Sequence, residues 1–553
     1  MGEETYDYVI VGAGSAGAVL ADRLTEDGRS TVLALEYGGS DRAWIIQMPA
    51  ALALPMNSSA YNWGYRSEPE SHLSGRRVNC PRGKVLGGSS SINGLVYVRG
   101  HPLDFERWEG EGAKGWGYAN VLPYFRRAES FRGGGDAYRG HDGPLATLRG
   151  LKHNPLYEAF IEAGRQAGYA VSADLNGERQ EGFGFLDMTV KNGVRWSTAN
   201  AYLRPAMKRP NLTVLTHALA TRIAFEGRRA TGVHYRRGGR DFLARAEREV
   251  ILCGGAINSP QLLKLSGIGP AAELSALGID VVADRPGVGE NLQDHLELYF
   301  QVTSKRPITL YSHSGLIGRG LIGLRWMARG RGLGATNHFE AGGFIRSRAG
   351  VRYPDIQFHF LPMATAYDGS SFAREHGFQA HVGPMRSKSR GSVKLASPDP
   401  AKPPKIQFNY MSQPDDWEEM RACVRLTREI FAQKAFDPYR GREISPGEAC
   451  VSDEQIDAFV RERVESAYHP CGACRMGSAS DPLAVVDREA RVIGVGGLRV
   501  VDSSIMPSIT NGNLNAPTIM IAEKAADLIR GRAPLPASNA PYYVAKDWET
   551  RQR

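Results

Sequence analysis

The chain has no apolar run approaching the roughly 20 residues of a membrane-spanning helix, so nothing in it reads as an integral membrane segment. Cysteine is scarce. Its six residues, Cys80, Cys253, Cys423, Cys450, Cys471 and Cys474, are too few and too scattered for a disulfide scaffold. Cys471 and Cys474 form a Cys-x-x-Cys, but no second pair completes a zinc site, so no metal is expected and the pair reads as two small buried residues. Repeats and low-complexity runs are also missing, and 42% hydrophobic with 23% charged residues argues against disorder. The net charge of +9 comes from arginines spread along the whole length, with no basic stripe carrying interleaved aromatics. Nucleic acid is therefore not expected as a partner, while a weak attraction to an anionic membrane surface stays open. A strand begins almost at Met1, leaving no room for a signal peptide. The expectation is a cytoplasmic protein, at most peripheral on the inner face of the cell membrane.

What the chain does contain is a dinucleotide-binding pattern at its start. Tyr8 to Val11 is an apolar strand, Gly12, Gly14 and Gly17 follow with Ser15 between them, and Ala16 to Leu24 has helical spacing. Gly12 suits the tight turn, Gly14 lets backbone approach a pyrophosphate, and Gly17 lets helix pack on strand. A second strand, Ser30 to Leu35, ends in Glu36, about 20 residues on, where an acid binds a ribose 2′-hydroxyl. A 2′-phosphate would be repelled there. The unit alone leaves NAD and FAD open.

Three later stretches repeat the theme. Pro81 to Gly94 is too long for a simple turn: Gly83, Gly87, Gly88 and Gly94 remove side chains, while Lys84, Ser89 and Asn93 offer polar groups. It can lie flat against a planar cofactor. Arg248 to Cys253 is a strand running into a Gly-rich helix start, and Leu498 to Val501 is another, ending in Asp502, before helical periodicity over Pro517 to Ile529. Three strand-to-helix junctions so far apart imply one sheet assembled from distant pieces. The middle of the chain alternates strand-like runs, such as Ile356 to Leu361 and Gly391 to Leu395, with helices near Trp417 to Gln433 and Asp453 to Arg463. At 553 residues the chain exceeds a single core.

Gly83 to Tyr97, Gly254 to Gly269, and Leu498 to Pro507 with Asn513 to Thr518 together resemble the signatures of the glucose-methanol-choline (GMC) family of FAD-dependent oxidoreductases, and within it the choline-oxidising members. The resemblance implies an α/β fold, with a Rossmann-like FAD-binding domain and a substrate domain built on an antiparallel sheet with helices. The expected division is 1–155, 205–300 and 465–535 for FAD, 156–204 and 301–464 for substrate, and 536–553 as an extended or frayed tail. It implies catalysis by His469, in Tyr468-His469-Pro470, as base, with Asn513 orienting the substrate oxygen. An unperturbed imidazole would make activity fall on acidification near pH 6.5.

The resemblance also implies alcohol oxidation by hydride transfer to flavin, with choline going to betaine aldehyde and conceivably on to glycine betaine. A quaternary ammonium has no donor on nitrogen, so its site needs a carboxylate, aromatic faces, or both. Asn291 to Phe300 alternates, which puts His295, Glu297 and Tyr299 on one strand face. Glu297 matches the carboxylate that faces the trimethylammonium, His359 matches a second active-site histidine, and Trp63 is the candidate aromatic wall. The choline oxidases bond flavin covalently to a histidine of the first signature, where this chain has Ile92. FAD is therefore expected to be non-covalent, and a quinone or other respiratory-chain component is favoured over oxygen as acceptor. The alternatives are an uncharged aliphatic or polyether alcohol as substrate, a lyase or photo-decarboxylase on the same fold, or a non-enzymatic nucleotide-binding module.

Overall fold

The computed structural model describes residues 4–365 and 375–553. Two seven-stranded sheets dominate it, each with its own apolar core.

The first sheet runs Leu212–Leu215, Val32–Leu35, Glu4–Val11, Arg240–Leu252, Arg229–Arg237, Leu219–Glu226, with Leu498–Val500 also paired to Arg240–Leu252. Its centre is parallel: Val9 lies beside both Leu33 and Val250, and Val250 beside Leu498. Parallel strands are covered on both faces, which is why these read as unbroken runs of Val, Ile and Leu. The sheet is assembled from distant segments, as the three junctions require. Helices Ser15–Thr25 and Asn515–Ile529 pack on each other against it. Cys471 and Cys474 are buried in the same core.

The second sheet is antiparallel, in the order Arg440–Ser445, Leu296–Ser304, Gly377–Pro384, Ile356–Leu361, Ala341–Ile345, Gly182–Phe185, with Glu465–Ser466 beside the start of Leu296–Ser304. Alternation along these strands decides what faces where. Leu296, Leu298, Phe300, Phe358, Phe360, Phe378 and Ala380 point to a core closed by helices Pro155–Gln166 and Pro414–Phe431. The residues between them, Glu297, Tyr299, Gln357, His359, Gln379 and His381, take the opposite face. Tyr299, His381 and His359 fall in one register row across three neighbouring strands. Burying so many polar groups on one face is costly unless something there uses them.

Three features depart from the sequence expectation. Leu296–Ser304 runs across the limit expected at residue 300, and its partner Glu465–Ser466 lies beyond the one at 464. Ala199–Leu203, expected with the second unit, packs into the first core. Ser392–Lys394 forms a separate ribbon with Lys405–Gln407 instead of joining the sheet. The tail after Pro534 is extended and held to the body by Ser538 N–H donating to Ala119, Tyr543 N–H to Glu178 and the Arg346 guanidinium to the Arg551 carbonyl. Among the described residues no helix is long and apolar enough to cross a membrane, and no His/Cys/Asp/Glu group could hold a metal ion.

Candidate active site

One cavity runs from Glu36 on the first sheet to Glu297 and His359 on the second. The N-termini of three helices open into it: Ser15–Thr25 through Gly14 and Ser15, Gly255–Leu265 through Gly254 and Gly255, and Asn515–Ile529 through Leu514 and Asn515. Ser15–Thr25 and Asn515–Ile529 have no side-chain cap, whereas at the start of Gly255–Leu265 the Gly255 N–H is taken by the Asp502 carboxylate. Free N–H groups and aligned dipoles make such termini anion sites. Gly12 takes φ +98° at the turn, and a Cβ on Gly17 would fall 1.8 Å from the Gly12 carbonyl oxygen, so both glycines are needed for the turn and the helix contact. A Cβ on Gly88 would come 2.7 Å from Gly14 Cα, which shows how closely the Gly83–Gly94 loop lies on that turn.

Gly12, Gly14, Ser15, Glu36, Gly83, Gly88, Ser89, Asn93, Gly94 and Asp502 all line this cavity. Gly17, Lys84 and Gly87 do not. Gly17 is one layer behind, Gly87 backs onto Ser91 and Ala199, and the Lys84 ammonium lies over the Tyr37 ring at 5.9 Å. Glu36 is buried and accepts from Ala13 N–H at 3.1 Å and Gly38 N–H at 2.7 Å; burial pushes its carboxyl up to about 7. Asp502 spends its carboxylate inside the chain, on Gly255 N–H at 2.8 Å, Ser259 hydroxyl at 2.6 Å and Ser504 N–H at 2.8 Å. It ties two junctions together rather than presenting a free anion.

Where the two sheets meet, imidazoles cluster. His469 Nδ1 lies 3.1 Å from His295 Nδ1, and His295 Nε2 lies 3.0 Å from the Met385 carbonyl, which can only accept. His295 therefore carries its proton on Nε2, His469 carries its own on Nδ1, and the lone pair of His469 is on Nε2. There the Asn513 amide nitrogen donates at 3.1 Å, while Asn513 Oδ1 lies 3.2 Å from His359 Nε2. Burial, then the neighbouring His295 and His359, hold His469 well below the usual imidazole range, and burial brings His295 down to about 3. The cluster is neutral. Asp294 fixes its backbone, accepting from His469 N–H at 2.7 Å and His295 N–H at 2.9 Å, and is itself held by Tyr410 and Ser466 hydroxyls. Tyr468 sits at φ +66°, a conformation that costs a bulky residue about 1 kcal/mol or more, and its carbonyl accepts from Arg82. The strain turns His469 into the cavity.

Glu297 is 4% exposed and lines the cavity beside Phe339, His359 and Tyr468. Its recorded ion-pair partner among the described residues is His381, at 3.1 Å, and not lysine or arginine. Trp63 also lines the cavity: its ring stacks between Tyr37 at 5.0 Å and Tyr65 at 5.6 Å, and it packs against the second core. Phe339 and Tyr468 are further aromatic residues of the lining.

GMC oxidoreductase family models match residues 6–297 and 387–522. The chain belongs to the GMC oxidoreductase family. It is 60% identical over 547 residues to an "Oxygen-dependent choline dehydrogenase" of Brucella canis, covering 99% of this chain and all of that one, and equally to one of Sinorhizobium medicae with the same name and coverage. Among solved structures, pyridoxine 4-oxidase from "Mesorbium loti" shares 32% identity at TM-score 0.87, covering 95% of this chain and 99% of that one, and a formate oxidase 26% at TM-score 0.90, covering 96% and 99%.

The cofactor of this GMC oxidoreductase is FAD, and the cavity fits it: two uncapped helix N-termini for the anionic parts, an acid at the ribose end, and a glycine loop for a flat ring. Ile92 is buried in that wall and offers no nucleophile to bond the ring. Four contributors escape motif reading: Asp294, His295, His381 and Arg195. Arg195, fully buried, braces the loop through the Ser90 and Asn93 carbonyls with no carboxylate beside it. Only Asp294-His295, within the alternating strand that carries Glu297, left a trace in the sequence.

Proposed function

We propose that the chain oxidises choline to betaine aldehyde, with His469 as base, Asn513 and His359 holding the alcohol oxygen, and Glu297 facing the trimethylammonium. The observation that carries the substrate is Glu297. This carboxylate is buried and, among the described residues, is paired with His381 and with no lysine or arginine, and a quaternary ammonium bounded by Phe339 and Tyr468 supplies a full positive charge beside it. Two relatives of this identity are named for choline.

The alcohol proton goes to His469 Nε2, the nitrogen whose lone pair faces Asn513. In the free site the Asn513 amide occupies that lone pair, so the entering hydroxyl exchanges one hydrogen bond for another. The alkoxide is then held between Asn513 and His359. When bound beside this site, FAD would supply the acceptor for the hydride of the adjacent carbon. The FAD and substrate parts correspond to the two sheets, with the site at their junction. For the reoxidant, Ile92 favours a quinone-type acceptor, and the relatives' name, "oxygen-dependent", favours dioxygen. Oxygen uptake with equimolar peroxide, against reduction of a soluble quinone, separates them.

The test is anaerobic absorbance of the flavin-loaded protein. Choline should bleach it, and acid precipitation should release the flavin. No bleaching with choline or any alcohol refutes alcohol oxidation and leaves a lyase-type reaction. Glu297→Gln should raise KM for choline at least about tenfold and leave uncharged alcohols unaffected; an unchanged choline KM refutes the role of Glu297.

A further inference from the structure

The helix Leu316–Arg329 turns its apolar side outward. Leu316 is 89% exposed, Ile317 81%, Leu321 62%, Leu324 62% and Met327 63%. At 100° per residue these five fall within a single arc of about 140°. They are not scattered singles, which any surface carries, but one continuous patch. The opposite side is the anchored one: Trp326 packs with Met48, Ala51 and Ala335, and its indole N–H donates to the Gly193 carbonyl at 2.6 Å.

Charge says what the patch meets. From Leu298 to Phe339 the sequence holds no Asp or Glu in 42 residues and six Lys or Arg, and Arg325 lies at one edge of the apolar arc. An apolar stripe bordered by arginine, in a run of sequence without acids, complements anionic lipid headgroups over acyl chains. The glycines agree. Gly320 and Gly323 have nothing within 4 Å of where a Cβ would stand, so no packing demand places helix-weakening residues there. Such a helix is weak in water and gains from an apolar boundary.

We propose that Leu316–Arg329 is a docking surface for an anionic phospholipid membrane, on which it lies in the interface plane with Leu321 and Leu324 inserted. The helix rests on the segment that supplies Leu52 and Met56 to the active-site cavity, so docking brings that wall to the membrane. The proposal does not depend on which alcohol is oxidised.

Flotation of the flavin-loaded full chain with vesicles tests it. At low salt the protein should float with vesicles of equal phosphatidylcholine and phosphatidylglycerol, and its partition should fall at least about tenfold with phosphatidylcholine alone. Leu321→Gln/Leu324→Gln should lower it by at least about tenfold, Arg325→Gln/Arg329→Gln likewise, with dye-linked kcat and KM unchanged in both. Failure of the parent protein to float, or variants that float equally well, overturns it. So does a mass in solution that falls on Leu321→Gln/Leu324→Gln, since the patch would then join copies of the chain.

Discussion

Among the described residues no carboxylate pairs with the His469 imidazole to raise its basicity. Its neighbours are imidazoles, an amide and Arg82, so burial and like charge act together and the neutral form persists as pH falls. A histidine with its ordinary value would lose half its activity near pH 6.5; here the acid limb of kcat/KM should lie below that, read from a profile over about pH 5 to 9. His469→Ala should lower kcat by about a hundred- to ten-thousand-fold and keep the flavin spectrum. The residue types at this site were legible: His469, Asn513, Glu297 and His359 all line the cavity. Their environments were not. A motif names His469 but cannot show that His295 stands 3.1 Å away, and the exposure that sets its titration is a tertiary property.

At the scale of the element, the turn from strand Val32–Leu35 into Glu36 stores a pH-dependent term. A carboxyl raised from 4.5 to about 7 holds a proton in the folded state that the unfolded chain has released, so stability of the flavin-free protein falls as pH rises through that window. The span corresponds to about 3 kcal/mol at most. Glu36→Gln apoprotein should accordingly lose less melting temperature than the parent between about pH 5 and 8 in calorimetry; equal losses would refute it. Strands with branched side chains, such as Glu4–Val11 and Ile356–Leu361, and the helix Asp453–Arg463 could be read from spacing. Gly182–Phe185 and Ala341–Ile345 could not, because glycine erases alternation. The reason for the glycines lies across the sheet: a Cβ on Gly343 would fall 2.7 Å from the Phe183 ring, and one on Gly342 2.4 Å from the Phe358 carbonyl.

At the scale of the whole molecule, the cavity closes only through about the C-terminal tenth of the chain. Leu498–Val500 completes the first sheet, Asp502 joins two junctions, and Asn513 with helix Asn515–Ile529 closes the wall. A chain ending before Leu498 should retain no flavin on gel filtration, whereas one ending after Pro534 loses only the strap and should keep it. The strap reaches from Ala119 beside the first core to Arg553, which pairs with Glu429 on the helix over the second, so its removal should lower the melting temperature. The same geometry sets a schedule for biosynthesis. Glu4–Val11 leaves the ribosome first, yet one neighbour, Arg240–Leu252, follows more than two hundred residues later and Leu498–Val500 beside that nearly at the end. Contacts that distant form slowly and leave apolar strands waiting. The nascent protein must therefore be sheltered until translation is almost finished, and cofactor capture is a post-translational event.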